Sequence, residues 1–201
     1  SIREWEEARR GDFFYMMRLA CPHVLMDDEE GGYRITKYLL SLGHKSIIGI
    51  FKSDDSQGQN RHRGYVRALT EAGLPYDADK VVWYYTEDRK IHPYTSIKNM
   101  IAIGCKMDAV VCYNDQIALE AIRALTDCGL SVPDDVSVTG YDHFKLENSY
   151  GLQITTIHHP QEKLGQMAAS MMLDIIHGRD GERNIVIEPE MVIGNSCKER
   201  K

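Results

Sequence analysis

Short apolar runs alternate along the chain with longer stretches whose apolar positions recur every three or four residues. These are the two periods that separate buried strands from amphipathic helices. "KSIIGIF" (45–51) predicts a buried strand. "GQNRHRGYVRALTEAG" (58–73) predicts the helix after it, with Tyr65, Leu69 and Ala72 on one stripe and Gly73 as its stop. The pairing recurs as "KVVWYY" (80–85) with "YTSIKNMIAIGC" (94–105), whose inner face carries Ile97, Met100 and Ile101. It recurs again as "MDAVVCY" (107–113) with "DQIALEAIRALTDCG" (115–129). "DVSVTGY" (135–141) and "QITTI" (153–157) are further strands, and "QEKLGQMAASMMLDIIHG" (161–178) is a long helix. "NIVIEPEMVIGN" (184–195) predicts a strand or hairpin bent at Pro189. The first 30 residues follow the rule less well. There "SIREWEEARRG" predicts a helix and "DFFYMM" a strand, and Gly31-Gly32, ahead of a helix at 33–42, marks the expected hinge.

Near-continuous apolar strands between helices imply an α/β fold with a parallel sheet covered on both faces. In such sheets ligands sit beyond the carboxyl ends of the strands. The strand at 45–51 delivers Lys52, Asp54 and Asp55 to that edge, with Arg61 in the first turns of the next helix. The strand at 80–85 delivers Tyr84, Tyr85 and Glu87, and the one at 107–113 delivers Asn114 and Asp115. The strand at 135–141 ends at Asp142 and His143, after a Gly140 that permits a close approach, and "TTIHHP" contributes His158 and His159. Carboxylates, an amide, an arginine and aromatic rings on one edge suit a polyhydroxylated ligand, because carboxylates accept from vicinal hydroxyls and Arg donates to the same oxygens. Structural roles stay open beside these. Asn114 or Asp115, and likewise Asp54 or Asp55, also suit a helix N-cap, and Asp142 suits a turn. His44, after Leu42-Gly43, marks a helix C-terminus, where a histidine is favourable.

Composition narrows the function. The chain has 201 residues and a net charge of −6, a balance that repels phosphate backbones and argues against this segment binding nucleic acid itself. No apolar run approaches the roughly 18 residues of a membrane span, and the charged "SIREWEEARR" lacks the apolar core of a secretory signal. Five cysteines without a CxxC pairing fit a reduced, cytoplasmic protein. His158 and His159 have no second ligand pair at helical spacing, so no metal site is expected. Nor does a cofactor motif appear: "GQNRHRG" lacks the phosphate-loop pattern, and neither GxGxxG nor GxSxG occurs. An Asp142 acting as phosphoryl acceptor would need a lysine at a further strand end.

Five segments, in order, resemble the successive signatures of the effector-binding domain of the lactose/galactose repressor (LacI/GalR) family. They are "YLLSLGHKSIIGIF", "RHRGYVRAL", "DAVVCYNDQIALEAIRAL", "GLSVPDDVSVTGYD" and "ITTIHHPQEKLGQMAASMMLDII". "LMDDEEGGY" and "IFKSDDSQG" are most similar to its arabinose-responsive branch, which joins this domain to a GntR-type winged helix. The resemblance implies a type I periplasmic-binding-protein-like fold of two Rossmann-like lobes with parallel sheets and an effector cleft. It implies an N-lobe incomplete in this chain: residues 1–33 as its remnant, 34–155 as the C-lobe, 156–182 as the crossing segment and returning helix, and 183–201 as the last strands of the C-lobe. Carried over by motif, Arg61, Asn114 and Asp142 bind ligand hydroxyls, and His159 touches the ligand from the crossing strand. Lys52, Asp54 and Gln57 belong to the arabinose-type loop, and Tyr85 and Glu87 lie where the family adds an aromatic or polar contact. The family's usual arginine near the C-terminus is replaced in "VIGNSCK" by Gly194, so its structural partner must differ.

The implied protein is a homodimeric switch, not an enzyme. A sugar such as L-arabinose lowers affinity for operator DNA, which is bound through a domain absent from this chain. A periplasmic sugar-binding protein of the same fold would need an export signal, and a sugar-processing hydrolase or phosphatase would need a paired acid–base or metal constellation.

Overall fold

The computed structural model of the chain describes residues 21–144 and 151–200. The helix and strand expected over residues 1–17 lie outside the described residues. In chain order the elements are β1 (His23–Met26), α1 (Asp28–Ser41), β2 (Ile47–Lys52), α2 (Ser56–Glu71), β3 (Val81–Tyr84), α3 (His92–Ala102) and β4 (Ala109–Cys112). There follow α4 (Asp115–Asp127), β5 (Ser137–Thr139), β6 (Thr156–His158), α5 (Gln161–Ile176), β7 (Asn184–Ile187) and β8 (Glu190–Val192).

The chain divides into two units. The smaller runs through Asp27 and resumes over Pro160–Glu188, and the larger holds Asp28–His159 and Pro189–Lys201. In the smaller, β1 and β7 pair in parallel, with α5 packed on β1. The larger is built on four parallel strands in the order β3-β2-β4-β5. Ile47 to Phe51 of β2 are all buried, as a strand covered on both faces demands. Side chains alternate across it. Ile48 and Ile50 join Val82, Tyr84, Val110, Cys112 and Val138 in a core completed by Ile97 of α3 and Ile117, Ala121 and Leu125 of α4. On the other face Phe51 meets the Tyr65 ring of α2 at 5.4 Å, and the Tyr65 hydroxyl donates to the Ile47 carbonyl at 2.9 Å.

Two side chains start the helices at the carboxyl edge. The Asp55 carboxylate accepts from Gly58 N at 2.7 Å ahead of α2, and Asn114 Oδ1 accepts from Ile117 N at 3.1 Å ahead of α4. Each satisfies an amide that a helix terminus leaves unpaired.

Gly31-Gly32 is not a hinge. Both residues are buried inside α1. A Cβ at Gly32 would overlap the Arg61 backbone, one at Gly31 the Tyr141 ring, and one at Gly64 the Glu29 carbonyl. Gly32 and Gly64 let α1 and α2 approach backbone to backbone, and Gly31 makes room for Tyr141, uses that a breaker signal in sequence does not distinguish from a bend.

The last two strands also depart from expectation. β7 and β8 do not form a hairpin, because β7 pairs with β1 while β8 pairs antiparallel with β6. β6 in turn lies along the end of β5: Gly140 N donates to the Thr155 carbonyl at 3.0 Å and Asp142 N to the Ile157 carbonyl at 2.8 Å. Gly194 packs where a Cβ would overlap the Gln153 carbonyl, and its amide donates to Thr155 Oγ1 at 3.1 Å, so a long side chain has no room there. Among the described residues no helix is long and apolar enough to cross a membrane.

Gly64→Ala is expected to lower stability by about 1–3 kcal/mol, because the α1–α2 contact has no free volume. Urea unfolding measures this, and an unchanged midpoint would contradict the close-approach account.

Candidate functional site

The carboxyl edge of the four-stranded sheet is organised around Arg61, in the second turn of α2. Only 3% of its surface is exposed. A buried guanidinium needs partners for both its charge and its planar array of donors. Nε donates to Asp28 Oδ1 at 2.9 Å, and Nη1 donates to the Tyr113 carbonyl at 2.7 Å. The Tyr141 ring lies 3.5 Å from the guanidinium carbon and the Tyr113 ring 4.6 Å, both within cation–π range. Burial works against the charge, but Asp28, Tyr141, Asp142 and Tyr113 together hold the pKa above its ordinary value. Nη2 makes no hydrogen bond with the described residues and faces Asp142 Oδ1 at 3.8 Å.

Asp142 follows β5 in left-handed backbone (φ 93°), as does His143 (φ 53°), a conformation disfavoured for residues with a Cβ. Its carboxylate is about one-third exposed. It receives no hydrogen bond from the described residues, so its lone pairs are available. Asp115 stands next to this turn and is itself buried. Its Oδ1 accepts from the Thr156 hydroxyl and its Oδ2 from Phe144 N, each at 2.7 Å. Burial raises its pKa to about 6, against the Thr156 and Phe144 hydrogen bonds, with the nearby Asp142 charge adding to the rise. Thus Asn114, not Asp115, caps α4, and its Oδ1 is spent on the cap.

A second cluster joins the loop after β2. Lys52 Nζ lies 3.0 Å from Asp55 and 3.8 Å from Asp54. Tyr113 Oη donates to Asp55 Oδ2 at 2.7 Å and lies 3.5 Å from Gln57 Oε1. Asp54 accepts from the Thr86 hydroxyl at 2.6 Å and from Thr86 N. Those bonds and Lys52 outweigh its partial burial and lower its pKa. Tyr85 and Glu87 flank Thr86 on an exposed turn. His159, half-buried just past β6, makes no hydrogen bond with the described residues, while its neighbour His158 packs edge-on to His143.

The structure therefore brings Arg61 and Asp142 together, with Lys52, Asp54 and Gln57 tied to them through Tyr113. Tyr85 and Glu87 join only through Thr86. Asp28, Tyr113 and Tyr141 were not picked out in sequence. The "CYND" and "GYD" motifs place both tyrosines, but only their packing against Arg61 shows why they are aromatic.

A family model described as a periplasmic binding protein-like domain matches residues 36–197. The chain belongs to that family. An arabinose metabolism transcriptional repressor from Geobacillus stearothermophilus is 36% identical over 187 residues, covering 91% of this chain and 51% of that protein. An HTH-type transcriptional repressor PurR from Pasteurella multocida is 36% identical over 174 residues, covering 85% and 51%. The chain spans about half the length of the curated relatives it matches. Among solved structures, a complex of the transcriptional regulator CelR with cellobiose is similar at 29% identity and TM-score 0.79, covering 88% of this chain and 54% of that one. A LacI family transcriptional regulator from Enterococcus faecium with bound ribose follows at 28% and 0.76, covering 89% and 66%. The lactose/galactose repressor resemblance read from the motifs is the one these comparisons return, and the relatives are regulators rather than enzymes.

The pH dependence of stability follows from Asp115. The folded state holds its proton more tightly than the unfolded chain, whose carboxylate has the ordinary value of 3.8. Its contribution is therefore most favourable below about pH 4 and declines as pH rises to about 6, by on the order of 3 kcal/mol. Asp115→Asn removes that decline. Melting temperatures of the two proteins, measured from pH 4 to 7, are expected to shift steadily in favour of the variant, and a constant difference would contradict the shift.

Proposed function

We propose that this chain is the effector-binding domain of a bacterial transcription repressor, and that its effector is a monosaccharide, with L-arabinose as the first candidate. The observation that carries this reading is the pairing of Arg61 Nη2 with the Asp142 carboxylate. A fixed donor and an open acceptor lie 3.8 Å apart at the carboxyl edge of a parallel sheet. Vicinal hydroxyls both accept and donate, so one sugar can satisfy both groups. The bound cellobiose and ribose of the two solved relatives support a saccharide as the ligand class. The arabinose assignment is supported by the similarity to an arabinose metabolism repressor, which spans the "IFKSDDSQG" loop.

In this reading Arg61 donates through Nη2 and Asp142 accepts, while Asn114, its Oδ1 committed to the cap, donates through Nδ2. Lys52, Asp54 and Gln57 form the loop that selects the sugar, Tyr85 and Glu87 lie at its margin, and His159 adds a contact from beside β6. The bound sugar favours one of two conformations of a cytoplasmic homodimer and so lowers operator affinity, with no covalent chemistry. The net charge of −6 supports DNA contact through a separate domain, proposed to be of GntR type.

Calorimetric titration with L-arabinose, D-xylose and D-galactose tests the assignment. L-arabinose is expected to bind tightest, and Asp142→Ala to weaken it by about 10- to 100-fold, the worth of a charge-assisted hydrogen bond. The variant should melt near the wild-type temperature. If none of the three sugars binds or raises the melting temperature, the reading fails. If Asp142→Ala does not fold, Asp142 is structural.

A further inference from the structure

Asp115 lies beside the proposed sugar site, faces away from solvent, and belongs to none of the groups assigned to the ligand. It nevertheless sits where two costs meet. The first is the left-handed backbone of Asp142 and His143, two consecutive residues that both carry a Cβ. Such strain persists only where surrounding contacts over-determine it. The second is a buried carboxylate with no cation within ion-pair distance among the described residues. The contacts that fix the turn all run to Asp115 or to the strand it grips. Asp142 N donates to the Ile157 carbonyl at 2.8 Å and His143 N to Thr156 Oγ1 at 3.3 Å. Phe144 N donates to Asp115 Oδ2 and the Thr156 hydroxyl to Asp115 Oδ1, each at 2.7 Å. Asp115 N in turn donates to the Tyr141 carbonyl at 2.9 Å. The carboxylate reaches this position because residue 140 is glycine: a Cβ there would overlap Oδ1.

We propose that Asp115 is a positioning residue for the sugar site: by holding Thr156 and Phe144 N at once, it locks the strained turn after β5 and aims the Asp142 carboxylate at Arg61 Nη2. It touches no ligand and acts through Asp142. The proposal rests on the reading of Asp142 as a sugar ligand. It goes beyond that reading in assigning the geometry of the site to a residue behind it. It also accounts for the cost: an apolar residue at 115 would spare the buried charge but leave Phe144 N and the Thr156 hydroxyl without their acceptor.

The test uses Asp115→Ala, with Asp115→Asn as the conservative rescue, and reads two quantities. One is L-arabinose affinity by calorimetry, and the other is hydrogen-exchange protection of the Phe144 amide by NMR, which needs no ligand. Alanine is expected to lower both by about tenfold or more, the effect of losing a buried hydrogen-bond acceptor. Asparagine, which can accept from Phe144 N and donate to Thr156 Oγ1, is expected to restore most of both. If Asp115→Ala keeps wild-type affinity and protection, or asparagine is as defective as alanine, the proposal is overturned. Should the alanine variant fail to fold, Thr156→Val removes one of the two bonds and is expected to move both readouts in the same direction. No movement there overturns the proposal equally. Failure of the wild-type protein to bind any of the sugars tested counts against the sugar assignment. The Phe144 exchange rates then decide the positioning claim alone.

Discussion

A guanidinium carried into the protein interior must be met on every side, and most of the larger unit can be understood as the means of meeting Arg61. Helix α2 brings it in, capped by Asp55 in the loop after β2. Helix α1 must then lie close enough for Asp28, at its first turn, to reach Nε at 2.9 Å. Glycines at 32 and 64 allow that approach, because any larger residue would strike the facing backbone. The segments after β4 and β5 supply Tyr113 and Tyr141, whose ring centres lie 4.6 Å and 3.5 Å from the guanidinium carbon. Removing one partner of such a buried pair typically costs about 3–5 kcal/mol, so these elements stand or fall together.

The same constraint shapes the proposed ligand edge. With Nε held by Asp28 and Nη1 by the Tyr113 carbonyl, the guanidinium plane is fixed and Nη2 has one direction to face. It faces Asp142, whose turn is held by the Ile157 carbonyl and by the side chains of Thr156 and Asp115. A donor and an acceptor fixed before the ligand arrives do not have to be ordered on binding, which is how a small sugar can be held by few contacts. In the proposed reading, strain at Asp142 and a buried charge at Asp115 are the stability given up for that order.

The parts of this arrangement visible in sequence are those set by local patterns. "KSIIGIF" and "DAVVC" announce buried strands because both faces are apolar, and the helix after each shows its period. Asn114 and Asp142 stand out as candidates because a parallel sheet presents whatever follows its strands. Asp28 escaped notice because its partner is 33 residues away and its reason for being buried is that partner. Asp115 is legible in sequence as an edge carboxylate or a cap, since nothing local says that Thr156 and Phe144 N will converge on it. Gly31-Gly32 misled for a related reason: tight helix packing and a bend both call for glycine, and only the neighbouring helix distinguishes them. "NIVIEPEMVIGN" has strand character throughout, but which strands it joins depends on residues elsewhere in the chain.

The central claim is that Arg61 Nη2 and the Asp142 carboxylate engage the same ligand. A crystal structure of the protein grown with L-arabinose tests it most directly. The account predicts sugar hydroxyls within about 2.7–3.2 Å of both groups, with the Asp28–Arg61 pair and the left-handed turn at Asp142 unchanged. A sugar bound elsewhere, or bound with Asp142 turned away from it, would contradict the account.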